Sequence, residues 1–86
     1  MNEVTVYSSP FCAPCERLKR HLREKGVAFK VIDVMMDEEA GAFLESRGIR
    51  STPVLSVGGE FVVGFDPMRI DQLLAQHGAD NRTPRN

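Results

Sequence analysis

At 86 residues the chain has room for one domain, close to the lower size at which core burial alone sustains a fold. A formal net charge of −1 and 42% apolar residues describe an ordinary folded globule, with no electrostatic reason to bind nucleic acid or an anionic membrane surface. The apolar stretch Val4 to Tyr7 is too short, and too acidic at its start, for a secretory signal; no run approaches the roughly 18 apolar residues of a membrane helix, so a cytoplasmic protein is expected.

Glu3-Val4-Thr5-Val6-Tyr7 alternates and is rich in β-branched residues, which predicts a first strand, followed by the loop Ser8-Ser9-Pro10-Phe11. From about Cys12 to Lys25, Cys15, Leu18 and Leu22 recur at helical spacing until Gly26 supplies a stop. Arg17, Lys19, Arg20, His21, Arg23 and Lys25 read as the solvated face of that helix, partly offset by Glu16 and Glu24. Ala28 to Asp33 predicts a second strand, parallel to the first because the helix between them is a crossover. Met35 and Met36 are expected to fill loop and core. Asp37 caps a short second helix carrying Ala40, Phe43 and Leu44, which ends at Gly48. Pro53 to Val57, Gly58-Gly59 and Glu60 to Val63 form a hairpin pattern. Asp66-Pro67 then opens a third helix through Ile70, Leu73, Leu74 and His77. Residues 1–78 are thus expected to form one α/β domain of order β-α-β-α-β-β-α, a four-stranded mixed sheet flanked by three helices. Residues 79–86, polar and interrupted by Pro84, are read as a flexible tail.

The two cysteines stand together as Cys12-Ala13-Pro14-Cys15, where the first strand gives way to the first helix. Free N–H groups and the helix dipole favour negative charge at such a start, so the Cys12 thiol is expected below its free pKa of about 8.5. A disulfide between such near neighbours closes too small a loop to stabilise the fold much, which leaves redox chemistry in a reducing compartment as the use of the pair. Cys12 at the helix tip is the expected nucleophile and Cys15, one turn on, the resolving thiol. Zinc takes about four ligands, and His21 and His77 are the only histidines, so no metal site is expected.

This element order, with Cys-x-x-Cys after the first strand, resembles the thioredoxin-like fold in its small glutaredoxin branch. Three segments between Glu3 and about His77 carry the likeness. Tyr7-Ser8-Ser9-Pro10-Phe11-Cys12-Ala13-Pro14-Cys15 is similar to the family's active-site stretch, and Ser51-Thr52-Pro53 matches its cis-proline tripeptide. Val63-Gly64-Phe65-Asp66 stands where glutaredoxins carry a Gly-Gly-x-Asp segment that holds glutathione. Gly64-Phe65-Asp66-Pro67 is also similar to the Gly-Phe-x-Pro segment of small redoxins that supply electrons to ribonucleotide reductase and are reduced by thioredoxin reductase, although the tryptophan those redoxins usually carry just upstream is missing. Ser9 occupies a position where glutaredoxins usually have lysine, and proline before the second cysteine is closer to thioredoxin.

The resemblance implies a thiol–disulfide oxidoreductase, monomeric and without a tightly bound cofactor, acting on disulfide-containing proteins or low-molecular-weight mixed disulfides. Glutathione, another low-molecular-weight thiol or thioredoxin reductase would restore its dithiol. A cis Thr52–Pro53 bond would let the Thr52 backbone pair with an extended substrate, Gly64 would admit a ligand backbone, and Asp66 would receive an ammonium group or cap the third helix. Arg17 matches a position where relatives often carry a basic residue that adds charge near the thiol. Two readings each stay open for Tyr7 and Phe65, substrate contact or packing. An iron–sulfur cluster held by Cys12 and a thiol cofactor, as in some glutaredoxins, is the alternative to exchange chemistry.

Overall fold

The computed structural model describes residues 3–78 and contains seven elements: β1 (Val4–Ser8), α1 (Ala13–Glu24), β2 (Lys30–Asp33), α2 (Glu38–Ser46), β3 (Val54–Val57), β4 (Glu60–Val63) and α3 (Pro67–Gln76). The order is the one expected from the sequence; the expected tail lies outside the described residues. β1 pairs in parallel with β2 and antiparallel with β3, which pairs antiparallel with β4, so the sheet order is β2-β1-β3-β4. α1 must carry the chain back across the sheet before β2 can lie beside β1, whereas a two-residue turn suffices between β3 and β4. β3 starts after Pro53, not at it, which fits a residue with no N–H for the ladder. Among the described residues no helix is long and apolar enough to cross a membrane.

Strand alternation divides the sheet into two faces. Val4 and Val6 of β1, Leu55 and Val57 of β3 and Val62 of β4 meet Leu18 and Leu22 of α1 and Ile70, Leu73 and Leu74 of α3 in one buried cluster. Tyr7 and Phe61 point the other way and flank Phe43 of α2, with ring centroids 6.4 and 6.1 Å from it. The Arg47 guanidinium lies 4.8 Å above the Phe43 ring, closing this smaller face with a cation–π contact. At the hairpin, Gly58 and Gly59 have φ of 58° and 85°, the paired positive values that a type I′ turn needs. A Cβ on Gly58 would sit 2.5 Å from the His77 imidazole. The bare turn therefore lets the residue after α3 close over it, where His77 Nε2 also meets Glu60 at 3.0 Å.

Two expectations need correction. Lys25 is not on a solvated face: its side chain is 2% exposed, and its Nζ reaches Asp71 of α3 at 3.2 Å. His21 Nε2 meets the same carboxylate oxygen at 2.8 Å. Both residues sit where α1 leans on α3, so the lysine stem covers apolar surface while its charge finds a carboxylate far away in sequence. Met35 and Met36 occupy the loop as expected but are 68% and 83% exposed, not core. The Asp33 carboxylate accepts from the Met35 N–H at 2.9 Å, and its carbonyl accepts from the Asp37 N–H at 2.9 Å. That tight turn leaves the two thioethers outside the core.

The Asp71 cluster has a pH consequence. Burial pushes the Asp71 carboxyl upward, but hydrogen bonds and charge from His21 and Lys25 outweigh burial and hold it below the ordinary carboxylate range. A depressed folded-state pKa means that the unfolded chain binds the proton first as pH falls. The stabilisation is full above the unfolded carboxyl's value, about 4, and is lost as pH drops through the lower folded value. Asp71→Asn should therefore flatten the acid limb of the stability curve. Because the Asp71 side chain is 42% exposed, solvent screens the pairs and the neutral-pH loss should be about 1 kcal/mol, not that of a fully buried pair. Urea unfolding of both proteins across the acid range measures it; equal acid slopes would contradict this assignment.

Candidate active site

α1 opens just beyond the C-terminal end of β1, and Cys12 is its N-cap. With φ −115° and ψ 102° the residue is extended, the cap conformation, and its Sγ accepts the Cys15 N–H at 3.2 Å. Its carbonyl accepts the first helical bond, from the Glu16 N–H at 3.2 Å. Sulfur thus takes the place that a serine or aspartate oxygen fills at most helix starts. Pro14 in the first turn removes an N–H that the helix would not have used. Cys12 and Cys15 are joined by a disulfide with their Cα atoms 5.2 Å apart, inside the usual range. Cys15 is wholly buried, while Cys12 keeps partial exposure. On the same first turn Glu16 is held below the usual carboxylate range, chiefly by a hydrogen bond from Lys19, which balances its charge.

The loop before β3 approaches Cys12 from a distant part of the chain. Its Thr52–Pro53 bond is cis. Thr52 Oγ1 and its carbonyl oxygen lie 3.9 and 4.0 Å from Cys12 Sγ. The same hydroxyl shares a 2.7 Å hydrogen bond with Ser9 Oγ. Pro53 is buried, and its carbonyl accepts the Gly64 N–H at 2.8 Å, tying the segment after β4 to this loop. Gly64 has φ 86°, and a Cβ there would meet no atom within 4 Å. Glycine is needed for the backbone conformation, and the space beside it is open.

Phe65 packs partly against the main core and meets His21 edge-on at 5.8 Å. Asp66 caps α3, its Oδ1 accepting the Arg69 N–H at 3.3 Å. Cys12, Cys15, Thr52, Pro53 and Gly64 are therefore linked by direct contacts, and Phe65 and Asp66 follow along the chain. Tyr7 and Arg17 are not joined to them: the Tyr7 ring contact is with Phe43, and the side chain of exposed Arg17 makes no hydrogen bond or ion pair among the described residues.

Two features of the site escaped the sequence reading. Ser9 bonds to Thr52 across 43 positions, a contact that no local pattern announces. Phe11, beside the nucleophile candidate, is fully exposed with φ 56°, a left-handed conformation rare for a bulky side chain. A large apolar residue in a Ser-Ser-Pro loop was the available signal. Among the described residues no group of three or more histidine, cysteine, aspartate or glutamate side chains is arranged to hold a metal ion.

Comparison with known proteins agrees with this geometry. The glutaredoxin family pattern matches residues 4–62, well over half of the chain. The chain belongs to the glutaredoxin family. The glutaredoxin-like protein NrdH of Escherichia coli K12 is 33% identical over 70 residues, covering 81% of this chain and 86% of that protein. A glutaredoxin-like 8.6 kDa protein from the rubredoxin operon of Clostridium pasteurianum is 31% identical over 75 residues, covering 83% and 96%. The solved structure of the Escherichia coli NrdH-redoxin, a glutaredoxin-like protein with a thioredoxin-like activity profile, superposes with a TM-score of 0.79 at 32% identity, covering 83% of this chain and 93% of that one. This glutaredoxin is a thiol–disulfide oxidoreductase of the glutaredoxin and NrdH-redoxin type.

Proposed function

We propose that this glutaredoxin reduces disulfides of partner proteins with Cys12 as nucleophile and Cys15 as resolving thiol, and that thioredoxin reductase, not glutathione, restores its dithiol. One observation carries the role assignment: Cys12 Sγ is reachable and receives a helix N–H, whereas Cys15 is buried behind it. In the reduced protein the Cys15 N–H and the helix dipole favour the Cys12 thiolate. That thiolate attacks one sulfur of the substrate disulfide, a bond forms to Cys12 Sγ, and the other substrate sulfur leaves as a thiolate that takes up a proton. Cys15, deprotonated, then attacks Cys12 Sγ, which releases the second substrate thiol and forms the Cys12–Cys15 disulfide. Two electrons have passed to the substrate.

Substrate contacts fall to the surfaces around Cys12. The Thr52 backbone would pair with an extended segment, and the open side of Gly64 would admit its main chain. Exposed Phe11 offers an apolar contact suited to a protein partner. We assign Asp66 to capping α3 first, with ammonium binding secondary, and Phe65 to packing against the core and His21. Tyr7 belongs to the aromatic cluster of α2, and Arg17 acts only through its long-range charge. The choice of reductant is supported by Ser9, which offers no cation to a glutathione carboxylate, and by similarity to a redoxin whose activity profile is thioredoxin-like. A monomer working in the cytoplasm completes the reading.

The test is to oxidise the protein and supply NADPH with either thioredoxin reductase or glutathione and glutathione reductase. Thioredoxin reductase should restore both thiols much faster. Equal or faster recovery with glutathione would overturn the assigned reductant while leaving the exchange chemistry intact.

A further inference from the structure

A groove of about 520 Å³ runs along α2 from Ser9 and Thr52 at its inner end. Its walls are mostly apolar: Val34, Met35, Ala42, Leu44 and Ile49 line it, and the exposed Met35 thioether can adjust to different shapes. Three charged residues stand along it, Glu38 and Glu45 on α2 and Arg50 before β3. Among the described residues none of the three makes an ion pair, so their charges are available to a ligand, and two carboxylates against one guanidinium leave the rim net negative. At the inner end, the Thr52 hydroxyl lies 3.9 Å from Cys12 Sγ.

We infer that this groove binds a segment of the disulfide-bearing partner protein: an apolar side chain one or two residues from the attacked cysteine, with a cationic residue beside it. An extended chain rises about 3.3 Å per residue, so a side chain that close to a cysteine held at Cys12 reaches the groove. A Leu, Met or Phe side chain would be covered by the apolar walls, which is favourable wherever it leaves water. A neighbouring Lys or Arg would face Glu38 and Glu45. A small thiol that carries carboxylates, as glutathione does, has no such apolar group and meets two like charges on the rim. The groove therefore favours apolar-basic protein segments over acidic low-molecular-weight disulfides. This rests on the exchange reading above and names its substrate class.

The experiment uses the pre-reduced full chain in single turnover against four disulfide probes. Three are short peptides whose cysteine is joined to mercaptoethanol, with Leu-Lys, Gly-Lys or Leu-Glu beside the cysteine; the fourth is bis(2-hydroxyethyl) disulfide. The Leu-Lys peptide should react roughly tenfold faster than the Gly-Lys peptide, the scale expected from partly burying one leucine. Ala42 is on the exposed side of α2, so Ala42→Trp can fill the groove without entering the core. It should bring the Leu-Lys to Gly-Lys ratio close to one. Glu38→Gln with Glu45→Gln should reduce the preference for Leu-Lys over Leu-Glu by about two- to fivefold, as for exposed charge pairs. Equal rates of the wild-type protein on the Leu-Lys and Gly-Lys peptides, or a ratio untouched by Ala42→Trp, would overturn the groove assignment. Failure on all four probes, bis(2-hydroxyethyl) disulfide included, would instead remove the exchange reading and this inference with it.

Discussion

Cys12→Ser should lower disulfide reductase turnover by at least about 10³-fold, because the other cysteine, Cys15, is wholly buried and no other accessible thiol can begin the reaction. The fold should survive the change. Serine is a good N-cap, so its hydroxyl can accept the Cys15 N–H that Cys12 Sγ accepts in the wild type. Thermal unfolding of the reduced proteins should therefore coincide while activity is lost, which separates a chemical role from a structural one. Cys15→Ser should behave differently: the first attack still occurs, but no thiol lies behind Cys12 to release the product. Intact-mass measurement after exposure to a disulfide substrate should show the protein as a covalent adduct. Turnover retained by Cys12→Ser, or adducts formed equally by wild type and Cys15→Ser, would reverse the assignment of the two sulfurs.

The second large effect is on stability. Leu18→Ala should cost about 3 kcal/mol, within the range for deleting a wholly buried leucine, since Leu18 is 0% exposed and meets strand and helix residues of the main core. In a domain of this length that should lower Tm by about 10–20 °C. Leu18 is on the buried face of α1, the helix that also presents the Cys15 N–H to Cys12, so its packing helps to hold the helix that the reaction uses. Below its unfolding transition the variant should retain most of its turnover, because the Cys12 cap is a contact within the first turn. Calorimetry alongside a turnover assay at low temperature checks both statements. A Tm shift of only a few degrees would mean that the site relaxes around the lost side chain, and that Leu18 is less central than its burial implies.

Much of the molecule was determined by the sequence alone, because the signals were local. Proline and aspartate at Asp66-Pro67, the paired glycines at the hairpin and the spacing of Cys15, Leu18 and Leu22 each act within a few residues, so the seven elements and their order could be read in advance. Cys12-Ala13-Pro14-Cys15 belongs to the same class, since a cap and its N–H donor lie within a single turn. What only the tertiary structure decided are contacts between residues far apart in the chain. The Ser9–Thr52 hydrogen bond, the Lys25 and His21 pairing with Asp71, and the packing of Tyr7 on Phe43 depend on how α1, α2 and α3 settle on the two sheet faces. Burial of Lys25 and exposure of Met35 and Met36 went against expectation for the same reason. A side chain's hydropathy sets what its burial would cost, but whether a distant carboxylate or an open loop waits for it is a property of the packed whole.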